Sequence, residues 1–158
     1  MSLAFQVEAD FSADGILTRM TEHFLSRSGQ IEMALAVTSA IEDGRALVVE
    51  ASTGVGKTFA YLVPALLSGQ RVLVSTATKA LQDQLFGRDL PQLVQAFGIL
   101  VQTALLKGYA SYLCLHRMEV ARQEARLPEG ISAHSLVRVE QWCQGTRTGD
   151  LAELPELD

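Results

Sequence analysis

The eight residues from Ala51 to Thr58, A-S-T-G-V-G-K-T, constrain this chain more than any other stretch. They follow the β-branched, leucine-rich run "RALVVEA" and precede the apolar run 58–67. Glycine inside an ordered element costs about 0.5–1 kcal/mol relative to alanine, so a cluster there implies a close approach to the backbone. The spacing A-x-x-x-x-G-K-T, after a strand and opening a helix, is that of a phosphate-binding loop. Backbone N–H groups from Gly54 to Thr58 form an anion nest, reinforced by the positive end of the following helix. Lys57 would reach the β- and γ-phosphates of a nucleoside triphosphate, and the Thr58 hydroxyl would hold Mg²⁺. Ser52, Thr53, Gly54, Val55 and Gly56 supply the rest of the cradle. A glycine-rich turn with no ligand is the competing reading, and the full spacing weighs against it.

Hydrophobic periodicity places helices and strands around this loop. Residues 30–43 put Ile31, Ala34, Leu35, Val37, Thr38 and Ile41 on one helical face, ended by Gly44 as a C-cap. Buried strands are expected at 45–51 and 71–78, and a third candidate lies within 98–108. Residues 58–67 read as a helix that Pro64 should kink or shorten. An amphipathic helix covers 79–90, with Leu81 and Leu85 four apart, and Pro91 opens another. Alternating strands and helices predict an α/β fold, a parallel sheet with helices packed on its faces. The pattern changes after Lys107-Gly108. Residues 109–130 and 131–144 are helix-like, and 145–158 read as an unfinished acidic loop. A boundary near residue 108 is expected, dividing the chain into 1–108 and 109–158.

Composition sets the outer bounds. With 158 residues, 48% hydrophobic and 20% charged, the chain can build a core as one domain or as a piece of something larger. The longest apolar run, Tyr61–Leu67, is far short of the roughly 20 residues a membrane helix needs. The start has no basic segment leading into an apolar one, so no secretory signal is visible. Cys114 and Cys143 make no disulfide scaffold, and a reducing cytoplasm is the expected location, with no membrane partner. Residues 1–50 carry three basic and eight acidic side chains, whereas 71–138 carry eight basic and five acidic. That stripe suits a phosphate backbone or simple solvation equally well.

Three segments carry a resemblance. The form A-x-T-G-x-G-K-T resembles the phosphate loop of superfamily 2 helicases; a small-molecule kinase or a GTPase comes next on the loop alone. In "RSGQIEM", Arg27, Gln30 and Met33 are similar to the adenine-reading Q motif of those helicases. A glutamine amide both donates and accepts, which favours ATP over GTP. A polar residue starting a helix is the plainer reading. In "STATKALQDQL", Thr76, Thr78, Leu81 and Gln84 resemble motif Ia, which grips the sugar–phosphate backbone of one strand. Hydroxyls and Lys79 suit phosphate contacts without base readout, and a capped helix with incidental hydroxyls is the alternative.

The segments "DFSADGILTRM", "STATKALQDQLFGRDLP" and "LLKGYASYLCLHRM" together resemble the DinG-type iron–sulfur DNA helicases, particularly the YoaA branch, related to XPD. The likeness runs from about Asp10 to Asp150. It implies a RecA-like P-loop NTPase fold and an ATP-dependent, DNA-stimulated helicase of repair or replication, moving 5′ to 3′ on single-stranded or forked DNA. Residues 1–108 would be the N-terminal part of the first motor domain, and 109–158 the start of an inserted iron–sulfur domain. Cys114 would be the first of four ligands of a [4Fe–4S] cluster. Without the resemblance, Cys114 reads as a small buried hydrophobe, His116 as a weak companion to it, and Cys143 beside Trp142 as core. Ser52, Val55 and Tyr109 depart from the family pattern. No D-E-A-H-like segment, further cluster cysteines or second motor domain occur in these residues. The chain is therefore expected to be the N-terminal portion of a longer enzyme, colourless and without ATP turnover by itself. A P-loop kinase, or a non-catalytic ATP-binding module, remains as an alternative.

Overall fold

Ser2 starts the first helix: its hydroxyl accepts from the Phe5 N–H at 3.3 Å, and α1 runs Leu3–Asp10. A computed structural model describes residues 2–20, 24–52, 54–123 and 133–154. The chain divides into two compact units, Met1–Leu105 and Leu106–Asp158.

In the first unit α1 is followed by α2 (Ile16–Met20) and the long α3 (Ser28–Asp43). Helix α3 ends on Gly44, whose φ of 61° places it in the left-handed region that caps helices. The face read from periodicity is the one that packs. Ala34 and Thr38 are buried, with Ile31, Leu35, Val37 and Ile41 partly so. The Thr38 hydroxyl donates to the Ala34 carbonyl at 2.8 Å, so its burial leaves no orphaned group. Helix α4 (Lys57–Leu67) lies along α3, and α1 packs against both. Val7, Phe11, Leu17, Ala34, Ala60, Leu62, Val63, Leu85 and Leu93 form the core.

Pro64 sits buried inside α4, which is not shortened and runs to Leu67. One expectation about helix boundaries is corrected. The expected helices at 79–90 and after Pro91 are one continuous rod: α5 (Lys79–Gln84), a π-turn (Leu85–Asp89) and α6 (Leu90–Phe97). Pro91 falls in the first turn of α6, where hydrogen bonding changes register and a missing N–H is tolerated.

The parallel sheet expected from 45–51, 71–78 and 98–108 is not formed among the described residues. These segments carry no regular secondary structure, and one isolated antiparallel bridge, Tyr112 to Asp150, is present. Burial still alternates with the period of an extended chain. Leu47 and Val49 are 42% and 40% exposed while Val48 is 96%. Val72 and Val74 are 49% and 42% exposed while Leu73 is 93%. One side of each segment is half covered and the other is bare. The residue choice is that of a strand, but a strand also needs neighbours for its N–H and C=O groups.

The second unit holds a 3₁₀ turn (Tyr109–Ser111), α7 (Leu115–Gln123), α8 (Ala133–Gly145) and a closing 3₁₀ turn (Leu151–Glu153). The expected helical character at 124–132 lies outside the described residues. The segment 146–154 is ordered by its own hydrogen bonds: the Thr146 hydroxyl accepts from Gly149 N–H at 2.9 Å, and Asp150 Oδ1 accepts from Ala152 N–H at 3.0 Å.

Candidate functional site

Gly54 and Gly56 have φ of 83° and 85°, which L side chains rarely adopt. Gly56 is the N-cap of α4. A Cβ on Gly56 would lie 2.2 Å from Gln30 Nε2, so the position excludes a side chain twice over. Helix α4 begins at Lys57, and the N–H groups of its first turn have no partner within the helix. Lys57 Nζ donates to the carbonyls of Ala51 at 2.8 Å and Ser52 at 2.7 Å. An ammonium has three donors, so one remains for an anion. Ser52, Gly54 and Gly56 are exposed and Val55 is half-buried, whereas Thr53 lies outside the described residues.

The first turn of α3 grips the same loop. Arg27 Nη1 donates to the Gly54 carbonyl. Gln30, 3% exposed, donates through Nε2 to the Gly56 carbonyl at 3.0 Å. Its Oε1 is buried with no partner among the described residues. An unpaired buried acceptor costs about 1–3 kcal/mol, so a ligand donor placed there is stabilising.

Thr58, the expected Mg²⁺ ligand, lies beside Tyr61 one turn along α4. Burial pushes the Tyr61 phenol above its ordinary pKa; the nearby Thr58 hydroxyl pulls it down, and the Asp89 carboxylate pushes it up. Asp89 is buried on the π-turn, accepting from Gln84 Nε2 and Arg88 Nε, both at 2.9 Å. Sequence reading missed Tyr61 and Asp89; π-turns cluster at functional sites, but nothing in the pattern 85–89 announces one.

Thr76, Thr78 and Lys79 come together where α5 begins. The Thr78 hydroxyl accepts from Leu81 N–H at 3.3 Å and caps the helix, and Thr76 Oγ1 donates to the Thr78 carbonyl at 3.3 Å. Thr78 and Lys79 are exposed. The capped-helix reading is therefore realised, and the Thr78 O–H hydrogen remains available to a phosphate.

In the second unit Cys114 is exposed, which corrects its reading as a small buried hydrophobe. Its carbonyl accepts from Met118 N–H at 3.0 Å at the start of α7. Cys143 is half-buried and His116 exposed. Among the described residues no group of three or more His, Cys, Asp or Glu side chains is placed to hold a metal ion. Sequence reading also missed a buried ion pair, Lys107 Nζ to Asp150 Oδ2 at 2.7 Å.

A loop with two glycines at positive φ, a lysine over its mouth and a helix N-terminus behind it has the geometry of a phosphate-binding loop. Residues 32–134 match the DEAD/DEAH box helicase family, and the chain belongs to that family, whose core is a RecA-like P-loop fold. It is 45% identical over 152 residues to the ATP-dependent DNA helicase YoaA of Haemophilus influenzae, covering 96% of this chain and 24% of that protein. It is 46% identical over 144 residues to the YoaA of Escherichia coli, covering 90% of this chain and 22% of the relative. The ATP-dependent helicase DinG of Mycobacterium tuberculosis is 42% identical over 149 residues, covering 81% of this chain and 22% of the relative. The chain thus spans about a quarter of the length of these relatives. Among the described residues, no helix is long and apolar enough to cross a membrane.

Proposed function

We propose that this chain is the ATP-binding N-terminal portion of an ATP-dependent DNA helicase of the DinG and YoaA type, acting in the cytoplasm on single-stranded or forked DNA. The observation that carries the reading is the loop 51–58 held between α3 and α4, with Lys57 at its mouth and a buried acceptor on Gln30 that has no partner among the described residues. These residues fit Mg·ATP. The nest N–H groups and Lys57 hold the phosphates, and Thr58 supplies one oxygen ligand to Mg²⁺, which neutralises charge on the β- and γ-oxygens when bound. Gln30 Oε1 accepts from the exocyclic amine of adenine; guanine presents an acceptor there instead.

In the same reading, residues 1–108 belong to the first motor domain. The segments 45–51, 71–78 and 98–108 are strands of its parallel sheet, completed by further neighbours, and their bare apolar sides are covered by additional helices. Residues 109–158 begin an iron–sulfur domain in which Cys114 contributes one ligand of a [4Fe–4S] cluster, the other three coming from elsewhere in the polypeptide. Its exposed thiol suits that role. Translocation from 5′ to 3′ and a place in DNA repair complete the proposal.

The test is calorimetry with the full chain. MgATP should bind, and MgGTP should bind at least about tenfold more weakly, because Gln30 Oε1 would face guanine O6 without a hydrogen. Equal affinities would remove Gln30 from base reading. Single-stranded DNA should bind weakly and without sequence preference through Thr76, Thr78 and Lys79. By fluorescence anisotropy its affinity should fall with salt, with a slope near −0.7 per phosphate contact. A Thr78→Ala/Lys79→Ala chain that binds as tightly as the original would discard this site.

A further inference from the structure

We propose that Arg27 and Gln30 are positioning residues for the phosphate loop, holding two of its carbonyls from behind so that its N–H groups face the phosphates. The inference rests on the reading that the loop binds a triphosphate, and it assigns these residues a role separable from reading the base. Gly54 and Gly56 give the loop its shape, but glycine is also the residue whose backbone turns most cheaply to other conformations. A loop built on two such residues is pre-organised only if something outside it fixes their peptide planes. The structure supplies that from one place. Arg27 Nη1 donates to the Gly54 carbonyl and Gln30 Nε2 to the Gly56 carbonyl, the latter at 3.0 Å.

Arg27 and Gln30 are three residues apart at the start of α3, and so share one face of its first turn. Helix α3 is anchored by its packing along α4, which the loop itself opens. The clamp and the helix that receives the phosphates therefore belong to one packed pair. Gly56 fits the arrangement closely, since a Cβ there would lie 2.2 Å from Gln30 Nε2. Its carbonyl also accepts from Ala60 N–H at 3.4 Å, so the Gln30 bond fixes a group already tied to the first turn of α4.

The Gln30 amide is used asymmetrically. Its nitrogen is engaged with the loop, whereas its oxygen is buried with no partner among the described residues. A donor arriving at that oxygen orders the same side chain that orders the Gly56 peptide. Base occupancy and phosphate-loop geometry are thereby coupled through one amide group.

Inorganic tripolyphosphate with Mg²⁺ separates the two roles, because it has phosphates and no base. Binding is measured by calorimetry on the full chain and on variants whose circular dichroism is unchanged. Gln30→Met removes the donor without adding charge, and should weaken tripolyphosphate about five- to tenfold. Arg27→Met and Arg27→Gln both remove the cation, but only glutamine keeps a donor for Gly54. Arg27→Gln should bind tripolyphosphate several-fold more tightly than Arg27→Met. Arg27 is exposed, so this pair keeps the test decisive if Gln30→Met does not fold. Gln30→Met losing affinity for ATP alone, or the two Arg27 variants binding tripolyphosphate equally, would overturn the clamp and leave the triphosphate site standing. Tripolyphosphate binding that survives Lys57→Ala, or that is absent from the unsubstituted chain, would overturn the site and the clamp with it.

Discussion

Lys57→Ala should abolish MgATP binding, with a loss of at least about a hundredfold in affinity, or roughly 2.7 kcal/mol. Two effects act together. Lys57 carries the single cationic side chain between Ala51 and Thr58, so its removal deletes a charge-assisted bond to phosphate worth about 1.5–3 kcal/mol. The same ammonium donates to the Ala51 and Ser52 carbonyls at 2.8 and 2.7 Å, and without it those two carbonyls lose the bonds that bend the loop over α4. Lys57→Arg should not rescue binding, because a planar guanidinium cannot replace a compact ammonium directed at two converging carbonyls. Calorimetry at fixed ionic strength measures both variants. An alanine variant within about threefold of the original would mean that the triphosphate is not held at the mouth of this loop.

What could be read from the sequence follows from how local each determinant is. The loop 51–58 was legible because spacing, glycines and lysine act within eight residues. Helix α3 was legible on its packed face, since periodicity alone decides which side holds Ala34 and Thr38. The strand segments were legible as residue choice, and the alternating burial of Leu47, Val48 and Val49 records that choice. Pairing was not decided by those residues, because a ladder depends on neighbours rather than on the strand's own side chains. Gln30 was singled out for adenine, but its bond to Gly56 was hidden: the two residues are 26 positions apart and meet only once α3 and α4 pack. Thr78 shows two readings that do not exclude each other, since it caps α5 and still presents a hydroxyl hydrogen. The tail 145–158 read as an unfinished acidic loop because nothing near Asp150 reveals that its partner is Lys107.

That ion pair carries the second large expectation. Lys107 and Asp150 side chains are 4% and 12% exposed, with Nζ and Oδ2 2.7 Å apart. Charges so far from water are tolerated only with good geometry and further hydrogen bonds. Asp150 Oδ1 accepts from Ala152 N–H at 3.0 Å. The Lys107 backbone N–H donates to the Tyr112 hydroxyl at 2.8 Å, and Leu113 N–H reaches the Gly149 carbonyl at 2.9 Å beside the Tyr112–Asp150 bridge. Asp150→Ala leaves a buried ammonium without its carboxylate and should destabilise the second unit by about 3–5 kcal/mol, with Lys107→Ala similar. Lys107→Met/Asp150→Leu, which keeps volume and removes both charges, should recover most of that loss. The chain's single tryptophan, Trp142, lies on α8 in this unit, so its fluorescence during urea unfolding reports the unit directly. Single substitutions costing less than about 1 kcal/mol would place the pair among ordinary surface bridges. A double substitution no better than either single would mean that shape, rather than charge, holds 107 to 150. Recovery in the double variant would instead identify Lys107 as the inner half of a structural clasp just ahead of Cys114. Its ammonium would then be committed to Asp150 rather than free to contact a nucleic-acid phosphate.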